Sequence, residues 1–371
     1  MDAVKRFIRN EIVLCVAFVL AVISALVIHP DKSYFAYIDY RTLSILLALM
    51  ITMAGLQRLH VFRQIGELLV SKMSSIRGVA LILIALCFFS AMFITNDVAL
   101  LTFVPFSIVT LSISGRKDLY IIVIVLETIA ANLGSMLTPL GNPQNLYLYS
   151  IAEMSLGAFV KLMLPYSVVA FVMLAAATII KVKKAPVVLQ EKSVYERKSR
   201  DKKMIGMYVF TFLVSILVVA RVLDYRIGLL VVVALTFIFD RRVLKKPDYS
   251  LLFTFIFLFI FIGNIKRIPE LSDALSQLVK VNEVGVSIGL SQVISNVPAA
   301  ILCSGFTDQI DKLIIGTNLG GLGTLIASMA SLISFKQYSY IDGSDSKKYM
   351  IVFTAFNIIF LVVMCVLYLF L

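Results

Sequence analysis

Long apolar stretches alternate with short polar connections along nearly the whole chain. Nearly uncharged runs occupy residues 12–28, 43–56, 79–94, 119–137, 159–180, 205–222, 228–239, 251–262 and 351–371. A helix crossing the hydrocarbon core needs about 20 apolar residues, with about 17 as a lower limit. The shorter runs reach that length with their polar flanks. One such run alone is compatible with a buried helix of a soluble protein. So many in series predict an all-α polytopic membrane protein of about nine spans, plus two re-entrant hairpins.

Four polar stretches interrupt this pattern: Thr95-Asn96-Asp97, residues 138–145, Ser295-Asn296-Val297-Pro298, and residues 316–324. An unsatisfied amide in hydrocarbon costs several kcal/mol, so each stretch must line a cavity or be buried in protein. In Gly141-Asn142-Pro143 the proline lacks a donor and restricts the residue before it, which predicts an unwound helix. Gly320, Gly321 and Gly323 predict the same through backbone permissiveness. Released carbonyls attract a cation, and exposed helix N-termini attract an anion. Asn96, Asn142 and Asn296 offer both kinds of group. Glycine and proline also mark simple kinks in membrane helices, which is the competing reading for any one break. Four breaks in matched positions favour a binding site.

The match rests on an internal alignment. Asn132-Leu133-Gly134-Ser135-Met136-Leu137-Thr138 aligns with Asn318-Leu319-Gly320-Gly321-Leu322-Gly323-Thr324, with Asn, Leu, Gly and Thr in register. Each copy follows a polar hairpin turn. Repeats with interrupted helices in matching places characterise secondary transporters. Asn-Leu-Gly-Gly-Leu-Gly follows no strand and lacks the spacing and lysine of a nucleotide loop.

Composition agrees with the class. The chain is 60% hydrophobic and 15% charged over 371 residues, with a mean hydropathy of +0.97. Its net charge of +12 does not point to nucleic acid, because the basic residues cluster in connections between apolar runs. Charge adds orientation. The basic-rich connections are Lys5, Arg6 and Arg9; Arg58, Arg63, Lys72 and Arg77; Arg116 and Lys117; residues 181–203; Arg241 to Lys246; and Lys336 to Lys348. The positive-inside rule places these in the cytoplasm. The N-terminus is then cytoplasmic and the C-terminus outside, in the inner (plasma) membrane. The start mimics a signal peptide but reads as a retained first span. Residues 79–114 enter and leave on the cytoplasmic face, a hairpin with Thr95-Asn96-Asp97 at its turn. Residues 281–306 form the inverted counterpart around Ser295-Asn296-Val297-Pro298, so the two repeats have opposite topology. Amphipathic stretches 60–73 and 265–279 precede the hairpins at the interface. The chain divides into an N-terminal repeat (1–180), a basic cytoplasmic linker (181–203) and a C-terminal repeat (204–371).

Charge at membrane depth is costly and usually functional. Asp97 is placed to bind a cation, exchange a proton, or cap a helix beginning at Val98. Glu127 is a candidate proton carrier, or a buried hydrogen-bonded structural residue. The four cysteines sit singly in apolar runs and read as core residues. His29 and His60 read as interfacial. No paired nucleophile and base, metal triad or ATP motif is present, so no enzyme and no cofactor is expected beyond Na⁺ or H⁺ as a coupling ion.

With hairpin and broken helix alternating twice, the chain resembles the ion transporter superfamily. That group includes divalent anion/sodium symporters, citrate permeases, arsenite-efflux permeases and certain sodium/proton antiporters. The turns are similar to the Ser-Asn-Thr signatures of the anion symporters. The run Thr95-Asn96-Asp97-Val98-Ala99-Leu100-Leu101-Thr102-Phe103-Val104-Pro105 is closer to the arsenite-permease and antiporter branch. Gly141-Asn142-Pro143-Gln144-Asn145 resembles the Gly-x-Pro-Pro-Asn element of the broken helix. The resemblance implies a homodimer whose hairpins move as an elevator against a fixed scaffold. It also implies a site shared by turns and breaks: Asn96, Asp97, Asn142, Ser295, Asn296 and Thr324 for substrate. Thr95, Asn96, Asp97, Glu127, Asn132, Gly134, Thr138, Gly141, Asn145, Asn318, Gly320 and Gly321 are the candidates for ion coupling. Candidate Na⁺ sets are Thr95, Asn96 and Gly141, and Ser295, Asn296 and Gly320. The function expected is secondary active transport of a small anion or oxyacid, such as citrate, a dicarboxylate or an arsenite-like species, coupled to Na⁺ or H⁺. The alternative is a Na⁺/H⁺ antiporter on the same fold; a channel fits matched halves less well.

Overall fold

The computed structural model describes residues 11–186 and 199–371. Lys5, Arg6, Arg9 and most of the basic linker lie outside the described residues. Within them the chain forms 18 α-helices, and the only β pairing is an isolated bridge between Ser75 and Pro186.

The first part runs through α1 (Ile12–Val27), the short α2 (Ser33–Tyr37), α3 (Tyr40–Arg58) and α4 (Val61–Val70). Asp39 starts α3 by accepting the Thr42 amide at 3.0 Å, an N-cap that satisfies one of the first orphan donors. His60 takes a left-handed conformation, with φ 53°, and turns the chain into α4. Then follow α5 (Ile76–Ile94), α6 (Asn96–Ile113), α7 (Tyr120–Ser135), α8 (Pro143–Ile151) and α9 (Leu156–Lys181). The second part comprises α10 (Ser199–Val219), α11 (Tyr225–Asp240), α12 (Tyr249–Ile265), α13 (Pro269–Val281), α14 (Glu283–Ile294), α15 (Asn296–Ser304), α16 (Ile310–Leu319), α17 (Met329–Ser339) and α18 (Ser346–Phe370).

Seven helices are long and apolar enough to cross a membrane, and an eighth span results if the bent pair α12 and α13 is counted as one. Two of the seven, α5 and α6, are the arms of the first hairpin. The expected nine is not reached because α1, α11 and α12, at three of the expected spans, have 16, 16 and 17 residues. The chain is a multi-pass membrane protein. The expected interfacial stretches are helical as α4 and α13, and α13 bends 111° away from α12.

At the centre lies α7, of whose membrane window 83% is buried. It packs against α5, α6, α9, α17 and α18. Helices α1, α9 and α18 instead display large apolar side chains outward, among them Leu26, Ile180 and Leu369, as expected where lipid replaces water. A second group joins α3, α10 and α11, while α1 packs along α12. Outside the apolar segments, Arg267 pairs with Asp31 at 2.8 Å and holds that carboxyl below its usual range.

Both breaks are offset from their sequence expectations. Residues 316–319 are not unwound: Gly316 to Leu319 are the last turn of α16, and the break runs from 320 to 328. Gly316 serves contact rather than flexibility, since a Cβ there would sit 2.9 Å from the Val284 carbonyl oxygen. In the first part the break covers 136–142, so Asn145 is helical. Pro143 starts α8 at its first turn, where its missing N–H is harmless, and extended Asn142 caps it.

Candidate functional site

Two kinks of the same shape define the site. α5 gives way to α6 at Thr95, with φ 70° and ψ 150°. α14 gives way to α15 at Ser295, with φ 72° and ψ 156°. Left-handed φ is strained for a side-chain-bearing residue and is tolerated where the surroundings over-determine it. Here the next residue is anchored. The Asn96 amide donates to the Gly141 carbonyl at 3.1 Å, and the Asn296 amide donates to the Ala327 carbonyl at 3.0 Å. Gly141 directly precedes the N-cap of α8, and Ala327 directly precedes Ser328, the N-cap of α17.

The two asparagines paired by sequence exchange partners across the breaks. Asn318 on α16 accepts from Asn142 Nδ2 at 3.1 Å and donates to Asn145 Oδ1 at 2.6 Å. Asn132 on α7 accepts from Ser328 Oγ at 2.9 Å, and its amide nitrogen lies 3.4 Å from Ser331 Oγ. Each asparagine thus holds the cap and the third helical residue of the opposite broken helix. Asn132 also accepts from Asn96 Nδ2 at 3.1 Å and reaches the Gly321 carbonyl at 3.5 Å. A threonine strut repeats as well: Thr138 Oγ1 donates to the Met92 carbonyl, and Thr324 Oγ1 donates to the Gln292 carbonyl at 3.1 Å.

Asn96, Asn132, Asn142, Asn145, Asn318, Ser295 and Asn296 are all buried. Asn96 bonds to Asn132, and Asn142 and Asn145 bond to Asn318. Ser135 bridges the two groups by accepting from Asn142 Nδ2 and donating to the Asn132 carbonyl. The N-termini of α6, α8, α15 and α17 converge there beside the C-termini of α5, α7, α14 and α16. N-terminal amides carry partial positive charge and C-terminal carbonyls partial negative charge, so the centre suits an anion and a cation together. None of these network side chains carries a positive charge.

Not every expected residue joins this centre. Thr324 is exposed, tied to Gln292 by its hydroxyl and by its amide, the latter at 2.9 Å from Oε1. Gly320 and Gly134 sit at close approaches: a Cβ would lie 2.5 Å from Ser291 Oγ at the former and 2.1 Å from the Phe88 carbonyl oxygen at the latter. Only Gly323 among the break glycines has positive φ, at 112°, so permissiveness explains that one alone. Gly141 would place a Cβ 2.0 Å from the Ser135 carbonyl oxygen, another contact requirement. A cap at Asp97 is not seen, because α6 begins at Asn96 and the Asn96 side chain accepts the Asp97 amide at 3.0 Å. Asp97 Oδ1 is buried without a hydrogen-bond partner.

Glu127 lies apart from the asparagine network. It is fully buried on α7, accepts a hydrogen bond from Ser107 on α6, and has the Cys87 thiol beside it. Its Oε2 has no hydrogen-bond partner. Ion pairs among the described residues, such as Arg58–Asp240 and Lys312–Glu283, involve none of these residues. No cluster of three His, Cys, Asp or Glu side chains that would hold a metal occurs among the described residues. Sequence reasoning missed Ser328, Ser331 and Gln292. The signal for the serines was present: they follow Thr324 at the spacing by which Asn142 and Asn145 follow Thr138.

A multi-pass fold with a polar centre made of interrupted helices and converging helix ends places the protein in the class of membrane transporters. Residues 4–309 match the family described as citrate transporter, and the chain belongs to that family. It is 30% identical over 312 residues to the inner membrane protein YbiR of Escherichia coli, with 82% of each chain covered. It is 33% identical over 316 residues to the uncharacterized transporter MJ0456 of Methanocaldococcus jannaschii, with 84% of each covered.

Proposed function

We propose that this protein is a secondary active transporter of a small citrate-type carboxylate or oxyacid, driven by Na⁺ or H⁺ through alternating access. The observation that carries the reading is the exchange of partners between Asn132 and Asn318. It supports two inverted repeats, 1–180 and 204–371, joined by a cytoplasmic linker and meeting at their broken helices. Four helix N-termini supply an anion site without a fixed cation, and the adjoining carbonyls supply cation ligands. Asn96, Asn142, Ser295 and Asn296 contact the substrate in this reading. Thr95, Asn96 and Gly141 hold a coupling cation. The hairpins α5–α6 and α14–α15 travel with their breaks against α3, α10 and α11 as the scaffold, in a homodimer in the inner membrane.

The test is flux in liposomes containing the purified chain, with labelled citrate, dicarboxylates, arsenite and phosphate, each under an imposed Na⁺ or proton gradient. Gradient-dependent uptake of one of them is expected. Absence of flux for all, with folded protein verified by its melting transition, ends the proposal.

One observation favours a second reading, exchange of Na⁺ for H⁺. Asp97 and Glu127 each keep a buried carboxyl oxygen without a partner, and acids at membrane depth are rare and usually mark ion or proton paths. Under this reading Asp97→Asn abolishes proton-coupled Na⁺ flux, whereas retained flux removes Asp97 from the exchange.

A further inference from the structure

The carbonyls released by the second break converge on one side chain. Gln292, on α14, donates from Nε2 to the Gly320 carbonyl at 3.0 Å and to the Leu322 carbonyl at 2.9 Å. The same nitrogen lies 3.2 Å from the Ile288 carbonyl of its own helix. Its Oε1 accepts the Thr324 amide at 2.9 Å. The loop is moulded around this amide: at Gly323 a Cβ would fall 2.3 Å from Gln292 Oε1, so the positive φ there brings the backbone against the side chain.

Gly320 is the C-cap of α16 and Leu322 lies two residues further on in the break, both beside the negative pole of that helix. Such a cluster, short of helical donors, needs a positive partner. A monovalent cation is one solution and an amide NH₂ is the other. The first break also uses an amide, but from another place. Asn145 Nδ2 lies 3.4 Å from the Ser135 and Met136 carbonyls and 3.3 Å from that of Thr138. Through the two threonine struts, the counterpart of Gln292 is Met92, which has no donor to give. Ser331, the counterpart of Asn145, is too short to span three carbonyls. The second break is therefore held from its hairpin and the first from its own continuing helix.

We propose that Gln292 determines the ion specificity of the second break: its amide stands where a monovalent cation would bridge the Gly320 and Leu322 carbonyls, and so that break works without one. The set Ser295, Asn296 and Gly320 is then not a second Na⁺ site, because Gln292 Nε2 fills the position between the Gly320 and Leu322 carbonyls that the cation would take. This inference rests on the reading of the breaks as coupling sites. Its test needs no substrate, so failure of transport would leave its result standing.

The experiment compares thermal unfolding of the purified full chain, Gln292→Glu and Gln292→Met in NaCl, KCl and choline chloride at matched ionic strength and alkaline pH. Glutamate removes the donors and adds an acceptor, so a cation must enter. Gln292→Glu is expected to melt well below the parent in choline and to recover in a saturable way with Na⁺ or K⁺, beyond any response of the parent. Gln292→Met, which can neither donate nor attract a cation, is expected to melt lower in all three salts alike. A salt response of Gln292→Glu equal to that of the parent overturns the proposal. So does a Gln292→Met protein that melts with the parent, which also decides the matter if Gln292→Glu yields no folded protein.

Discussion

The two breaks solve one problem with different materials. In the first, backbone presses on backbone: Gly134 lies against the Phe88 carbonyl and Gly141 against that of Ser135. In the second, side chains close the gaps, with Ser291 against Gly320 and Gln292 around Gly323. The arms differ in the same sense. α5 and α6 have 19 and 18 residues, each long enough to cross a bilayer, whereas α14 and α15 have 12 and 9. Only the first turn carries an acid, Asp97, where the second carries Val297. A rigid first half with an acid at its turn and a softer second half with a neutral turn can share a symmetric network without sharing a role. The first is the candidate for coupling, the second for adapting to substrate.

Glycine-to-alanine changes should expose this difference most strongly. Gly134→Ala pushes a methyl into the Phe88 carbonyl, which cannot rotate away, and should cost about 3 kcal/mol, the upper part of the overpacking range. Gly320→Ala meets the Ser291 hydroxyl, which can turn aside, and also Ser291 Cβ at 2.7 Å. Only a shift of α14 relieves the latter, so the change should cost about 2 kcal/mol. Melting of the two variants in detergent measures the gap. Equal losses would mean that the second break is as rigid as the first.

The asparagine pair comes next. Asn318→Ala strands Asn142 and Asn145, buried amides with several groups to satisfy, and should cost about 2 kcal/mol. Asn132→Ala strands Ser328 and Ser331, whose small hydroxyls can turn to backbone carbonyls of their own helix. About 1 kcal/mol is expected there. Chemical denaturation reports both. A larger loss at Asn132 would shift the weight of the network to its contact with Asn96.

Asp97 sets stability against function. Asp97→Asn replaces a carboxyl that has an unpartnered buried oxygen, so it should leave stability unchanged or raise it by about 1 kcal/mol. Gradient-driven flux should fall sharply if the carboxyl carries charge during transport. A variant with normal flux would place coupling elsewhere, with Glu127 the next candidate. Val297→Asp puts an acid at the matching point of the second turn. It should destabilise without adding ion coupling, as the Gln292 amide already takes the Gly320 and Leu322 carbonyls of the second break.

Much of this was legible in the sequence. Apolar runs gave the class, and the Asn132 and Asn318 registers identified the residues that exchange partners. Less legible was where each helix stops, because Gly316 is chosen for contact with α14 and not for flexibility, and glycine spelling is the same for both. Gln292 was also hidden: a glutamine on a mixed helix face carries no signal until its distance to the Gly320 and Leu322 carbonyls is known. Ser328 and Ser331 were readable in principle, but serine replaces asparagine there and masks the identity. The span count fell short for a physical reason too, since the polar flanks of three runs do not lengthen their helices, and α1, α11 and α12 stop at 16, 16 and 17 residues.

The smallest effect separates a shared bond from a shared environment. Thr138 and Thr324 each donate to the carbonyl of the corresponding hairpin residue, Met92 or Gln292. Thr138 is half-buried and Thr324 is exposed. Valine removes the hydroxyl with little change of shape. At position 138 the Met92 carbonyl loses a partner out of reach of water, and a loss of about 1 kcal/mol is expected. At 324 solvent replaces the hydroxyl and the loss should be close to zero. The Thr324 amide still anchors the loop to Gln292 at 2.9 Å, so Thr324→Val should also leave flux intact. Comparing the melting temperatures of the two valine variants with that of the parent checks both statements. A Thr324→Val protein as weakened as Thr138→Val would show that the second strut is closed off from water when the protein sits in its bilayer, and would remove the softness assigned here to the second half.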